Sequence, residues 1–275
     1  MDRSRQLTRR RFLALGACAA SGACATGMKT RRSTPPGRLI SRPRAAVSEP
    51  LSPGEHPLAL GKRRDGLLYV PRQPHAGPAP LVVMLHGAGG SARGVVTRTT
   101  AFDLAEEFGF VVMAPESRDK TWDAISGYFG PDAPFIESAL EYTFARVPID
   151  PARLAIGGFS DGATYALSLG LINGDLFTHV MAFSPGFIVA KRVTGRPAIF
   201  VSHGTRDDVL PIGSTSRRLV PGLQKAGYIV RYREFVGPHT VPLPIVREAF
   251  DWLKSSPAAI GLTKGGGGQV GGWIS

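Results

Sequence analysis

From residue 54 to residue 255, short apolar runs alternate with stretches whose apolar residues recur three and four positions apart, the pattern of strands separated by helices. The runs predict strands at 67–70, 81–85, 110–114, 154–157, 180–183, 198–202 and 229–235. Several are unbroken Val, Ile, Leu and Phe without polar alternation, as expected where both faces of a strand are buried. The spacing predicts helices around Phe102, Ala105 and Phe108, over 163–169, around Leu219, Leu223 and Ala226 before Gly227, and around Ile245, Ala249 and Leu253. This order belongs to the α/β class, a mostly parallel sheet with helices on both faces and no large lid domain. The sequence contains no internal repeat.

Outside that body the pattern fades. Residues 26–53 are rich in Arg, Pro and Ser and read as a flexible linker, and residues 256–275, with Gly265 to Gly268, read as a flexible tail. Residues 1–25 pass from a basic stretch through a weakly apolar one to Ala23-Cys24-Ala25, the layout of a signal peptide. Thr8-Arg9-Arg10-Arg11-Phe12-Leu13 resembles the twin-arginine signal, which predicts passage through that export machinery to the periplasm or the exterior. Cys18 and Cys24 also stand in contexts resembling lipidated cysteines, so an N-terminal lipid tether is a further expectation. Such a lipid is the sole membrane attachment anticipated, because no uncharged apolar run reaches the roughly 18 residues of a spanning helix.

Composition narrows the chemistry. The net charge of +12 suggests nucleic acid until it is located: residues 1–44 hold 11 Lys and Arg against one acidic residue, leaving 22 against 20 for the rest. A near-neutral body lacks the basic stripe that phosphate backbones require. The two cysteines, Cys18 and Cys24, both precede the body, which excludes thiolate zinc sites and a cysteine nucleophile from it. A nucleophile there must be oxygen.

Gly158-Phe159-Ser160-Asp161-Gly162 lies between a predicted strand and a small-residue helix, the setting of a nucleophile elbow. His86-Gly87-Ala88-Gly89-Gly90 follows another strand, where two backbone N–H groups, from Asp161 and from Ala88 or next Gly87, would stabilise an oxyanion. No G-x-G-x-x-G or G-K-[ST] supports a phosphate loop. His86 reads as a packing residue beneath its loop. Strand-end loops carry His203-Gly204-Thr205-Arg206-Asp207-Asp208 and Gly237-Pro238-His239, giving the order Ser160, aspartate, His239, with His239 as base. Trp122, Phe129, Phe183, Phe187 and Ile188 are candidates for an apolar substrate pocket, Trp122 and Phe187 foremost.

With these residues the chain resembles the phospholipase/carboxylesterase group of the α/β-hydrolase superfamily, from about Arg64 to Lys254. The likeness includes Thr121-Trp122-Asp123, Gly130-Pro131-Asp132, Phe183-Ser184-Pro185-Gly186 and the H-G-x-x-D-x-x-V-P pattern, in which Leu210 replaces the valine. That pattern puts the acid on Asp207. The resemblance implies an α/β-hydrolase catalytic domain, here over 54–255, that hydrolyses carboxylic esters through an acyl-enzyme, with no metal and no cofactor; with no long insertion to form a lid, an open site for short or moderately sized esters is expected. Thioester or peptide hydrolysis by the same residues, and a non-catalytic binding protein of this fold, are the alternatives.

Overall fold

In a computed structural model describing residues 35–45, 48–61, 63–73, 77–190 and 192–254, the apolar runs fold as one sheet. Its strands are β1 (Gly54–Pro57), β2 (Gly66–Val70), β3 (Ala79–Leu85), β4 (Val111–Pro115), β5 (Ile149–Phe159), β6 (His179–Phe183), β7 (Ala198–Gly204) and β8 (Val230–Phe235). Among the described residues the strand order is β1-β2-β4-β3-β5-β6-β7-β8. The β1–β2 and β2–β4 pairs are antiparallel and the others parallel. Helices α1 (Ala92–Arg98), α2 (Ala101–Phe108), α3 (Asp132–Arg146), α4 (Asp161–Ile172), α5 (Ser216–Lys225) and α6 (Leu243–Leu253) cover both faces. Leu81, Val83 and Leu85 of β3 pack with the face carrying α3, α4 and α5, while Val82 and Met84 join the face carrying α1, α2 and α6. Successive strand residues point to opposite faces, so a run buried on both sides must be apolar throughout.

The topology creates the crevice. β3 lies between β4 and β5, so the chain leaves β3 toward one edge and builds the rest of the sheet toward the other. The loops leaving the carboxyl ends of β3 and β5 diverge at such a switch point and leave room for a ligand.

Three elements escape the sequence pattern, the seven-residue helix α1 among them. β1 is a four-residue edge strand, Gly-Glu-His-Pro, with no apolar run to reveal it. α3 has Pro131 just before it and Pro134 in its first turn, which read as loop punctuation although a first turn tolerates proline.

The flexible-linker reading of 26–53 needs correction over 35–43, which is docked on the domain. Leu39 is fully buried, its N–H donates to Asn173 Oδ1 (2.8 Å), and Asn173 Nδ2 donates back to the Gly37 carbonyl (2.8 Å). Arg38 and Arg42 pair with Asp175, and the Ile40 and Ser41 N–H groups hold the Glu137 carboxylate of α3 (3.1 and 2.8 Å). One leucine and a set of polar contacts do this work, so no periodicity announces it. The leader, Cys18, Cys24 and the Gly-rich tail lie outside the described residues, among which no helix is long and apolar enough to cross a membrane.

Candidate active site

Ser160 joins β5 to α4 at φ 59° and ψ −121°, a region that a residue with a side chain seldom occupies. The flanking glycines are steric requirements. A Cβ on Gly158 would sit 2.5 Å from the Gly162 backbone, and one on Gly162 would sit 2.3 Å from the Leu85 carbonyl oxygen. With α4 pressed this closely to the end of β3, the Ser160 hydroxyl stands at the crevice.

Three strand-end loops then meet. His239 Nε2 lies 2.9 Å from Ser160 Oγ, and His239 Nδ1 lies 2.6 Å from Asp207 Oδ2. An ionised carboxylate only accepts, so Nδ1 carries the proton and Nε2 is left to accept from the serine. The loops interlock at Gly204, where a Cβ would meet the Gly237 and Pro238 carbonyls at 2.4 Å, and the Arg206 N–H donates to Gly237 O (2.9 Å). Asp207 Oδ1 accepts from the Val209 and Leu210 N–H groups (3.0 and 2.8 Å). Burial would raise its carboxyl, but the His239 hydrogen bond, the Leu210 N–H and the neighbouring imidazoles outweigh burial and hold it below the ordinary range. Asp208 is exposed. The Phe159 ring backs the His239 imidazole, with centroids 4.7 Å apart.

The glycine loop after β3 is held from beneath. His86 Nε2 accepts from the Ser117 N–H (3.0 Å), so Nδ1 carries the proton and donates to Gly87 O (2.7 Å). The Gly90 N–H donates to the same carbonyl (3.0 Å). In a trans peptide the following N–H points opposite to the carbonyl, so the Ala88 N–H is turned away from His86. Gly87 itself abuts the nucleophile, since a Cβ there would lie 3.3 Å from Ser160 Cβ. Asp161 opens α4, where an N–H has no partner within its helix. Its carboxylate accepts from Thr121 Oγ1 (2.6 Å). Burial pushes the His86 imidazole below its ordinary pKa, which fits a neutral ring.

The proposed pocket residues scatter. Trp122 is fully buried and donates its indole N–H to the His86 carbonyl (2.8 Å), so it braces the loop and lines no open pocket. Phe183 is also fully buried, and Ile188 packs against the core. Phe129 stacks edge-on to Tyr165 and lines a cavity of about 630 Å³ together with Pro35, Tyr128 and Ile172. Ile172 ends α4, about 18 Å along the helix from Ser160, so that cavity is remote from the serine. Phe187 is 42% exposed on the loop after β6, which Thr164 Oγ1 and Ser168 Oγ of α4 clamp by accepting from the Gly186 and Val189 N–H groups (2.8 and 2.9 Å). Sequence reasoning passed over His203, which packs under Asp207; a histidine followed by glycine at a strand end gives no hint of its partners. Among the described residues no group of three or more His, Cys, Asp and Glu could hold a metal ion.

Residues 132–233, a stretch containing Ser160 and Asp207 and ending before His239, match the phospholipase/carboxylesterase family. S-formylglutathione hydrolase of Mus musculus is 28% identical over 146 residues, covering 43% of this chain and 50% of that protein. Acetylxylan esterase A of Emericella nidulans is 26% identical over 168 residues, covering 58% and 51%. The chain thus spans about half the length of these relatives. Among solved structures, a thermostable esterase superposes with a TM-score of 0.57 at 24% identity, over 70% of this chain and 59% of that one. S-formylglutathione hydrolase from Staphylococcus aureus does so with 0.60 at 14%, over 75% and 99%. These superpositions speak for the fold. Sheet order, helices on both faces and these likenesses show the α/β-hydrolase fold, and through residues 132–233 the chain is similar to the phospholipase/carboxylesterase family.

Proposed function

We propose that the protein is an exported serine carboxylesterase, and the observation that carries this is the hydrogen-bonded run Ser160 Oγ, His239, Asp207 at 2.9 and 2.6 Å. Ser160 Oγ attacks the ester carbonyl while His239 Nε2 takes its proton. Asp207 keeps the imidazole in the required tautomer and stabilises the imidazolium. The Ala88 and Asp161 N–H groups receive the oxyanion, each such donor being worth about 3 kcal/mol. His239 returns the proton to the departing alcohol, and water repeats the sequence on the acyl-enzyme.

Phe187, on its clamped loop, walls the entrance. The substrates are esters of small acyl groups, in keeping with the formyl and acetyl groups in the relatives' names. A thioester is the second reading, favoured by the likeness to S-formylglutathione hydrolase. Work outside the cytoplasm, after passage through the twin-arginine machinery, is supported by Thr8-Arg9-Arg10-Arg11-Phe12-Leu13.

Turnover of p-nitrophenyl esters of graded chain length tests the reading. Short esters are cleaved fastest, and Ser160→Ala loses more than about a thousandfold. Asp207→Asn loses orders of magnitude in kcat/KM, whereas Asp208→Asn stays within about threefold. A Ser160→Ala protein that keeps its turnover, or equal losses at the two aspartates, rules out the assignment.

A further inference from the structure

A second imidazole lies against the carboxylate that holds His239. The His203 side chain is fully buried at the end of β7, with Nε2 2.8 Å from the Leu210 carbonyl and 3.1 Å from Asp207 Oδ2. Nδ1 is 2.7 Å from Ser216 Oγ, at the first residue of α5. A carbonyl can only accept, so Nε2 carries the proton; in the neutral ring the Ser216 hydroxyl then donates to Nδ1. The charged and titratable groups facing His203 are Asp207 on the loop after β7, His239 on the loop after β8, and Glu234 of β8, whose carboxylate is engaged by Arg217. Burial pushes the His203 imidazole below its ordinary pKa, in keeping with a neutral ring.

We infer that His203, its tautomer set by Ser216, is a positioning residue for Asp207 and shares Asp207 Oδ2 with His239. Its effect has two parts. The Nε2–H bond to Leu210 O fixes the peptide whose own N–H holds Asp207 Oδ1 (2.8 Å), so one ring secures the turn that aims the acid. The same N–H lies close to the oxygen that receives the His239 proton, so it takes up part of the carboxylate's charge. Without it, the whole of that charge bears on His239 and favours the imidazolium, which cannot act as a base.

The inference rests on the proposed roles of Ser160, Asp207 and His239. Its test is p-nitrophenyl acetate turnover from about pH 5 to pH 9 by the wild type, His203→Phe, His203→Gln and Ser216→Ala. His203→Phe lowers kcat about 10- to 100-fold with KM within about threefold, and moves the acid limb of kcat/KM up by about half a pH unit. His203→Gln, whose amide can donate to Leu210 O, restores the limb and most of kcat. Ser216→Ala, which frees Nδ1 to compete for the proton, moves the limb the same way by less, and keeps the test open if the phenylalanine variant fails to fold. Acid limbs that superimpose on the wild type's in every folded variant, whatever happens to kcat, overturn the inference and leave the catalytic reading standing. A wild type inert toward esters removes that reading and the inference with it.

Discussion

The Gly87 carbonyl receives two donors, His86 Nδ1–H and the Gly90 N–H, and this fixes which way the Ala88 N–H faces. In the proposed reaction a buried imidazole thereby sets the direction of an N–H group that receives the oxyanion. His86→Leu removes one restraint and is expected to lower kcat about 10- to 100-fold while KM changes little. His86→Asn, whose amide can donate from nearly the same place as Nδ1, keeps most of the rate. Affinity for a trifluoromethyl ketone, which forms an oxyanion on the enzyme, falls in step with kcat; unchanged affinity in His86→Leu means the peptide is held by other contacts. Ser160, Asp207 and His239 could be placed from the sequence because each sits in a short motif at a strand end, where chain order and spacing carry the information. The partners of His203 and Trp122 could not. His203 meets Ser216 thirteen positions on, across a turn, and Trp122 meets the His86 carbonyl 36 positions back, so local spacing gives no sign of either. An aromatic residue near the carboxyl edge suggests a pocket wall, but the Trp122 indole N–H has its acceptor deep in the core.

Seven of the eight strands were legible as elements: in β3, β4, β6 and β7 burial on both faces of the sheet makes the apolar run continuous, while β2 and β8 show in their aliphatic and aromatic residues although they are only partly buried or not buried. The segment 35–43 follows another logic, with its anchor spread over Asn173, Asp175 and Glu137, more than ninety positions away in sequence. Leu39 supplies the apolar part of that anchor. Leu39→Ala is expected to cost about 2–4 kcal/mol of stability and to leave kcat/KM for short esters within about twofold, since the strap meets the far end of α4. Denaturant unfolding beside ester kinetics checks both. A negligible loss of stability makes the docking incidental, and a large kinetic loss links the strap to the crevice.

Across the whole domain, two buried groups give stability opposite dependences on pH. His179, in contact with Trp252, is pushed by burial from 6.5 to about 4. Between those values the unfolded chain takes up a proton that the folded one refuses, so the stabilisation present above pH 6.5 is lost on acidification toward pH 4, about 3 kcal/mol in all. Asp132 is pushed by burial from 3.8 to about 6, although the Arg118 and Asp123 N–H groups favour its charged form. Its contribution is complete below pH 3.8 and is lost as pH rises to 6, again about 3 kcal/mol. The two contributions oppose one another between about pH 4 and 6. Relative to the wild type, Asp132→Asn should make stability climb more steeply from about pH 4 to 6, and His179→Phe should make it climb less steeply or fall from about pH 4 to 6.5, as read by urea unfolding at stepped pH. Wild-type slopes in both variants would assign the acid response to other groups. The position of the strap has an orientational consequence as well. Pro35 borders the cavity at the Ile172 end of α4, while Ser160 stands at the other end of the same helix. A hold taken on the domain at Pro35 would therefore act at the opposite end of α4 from the serine.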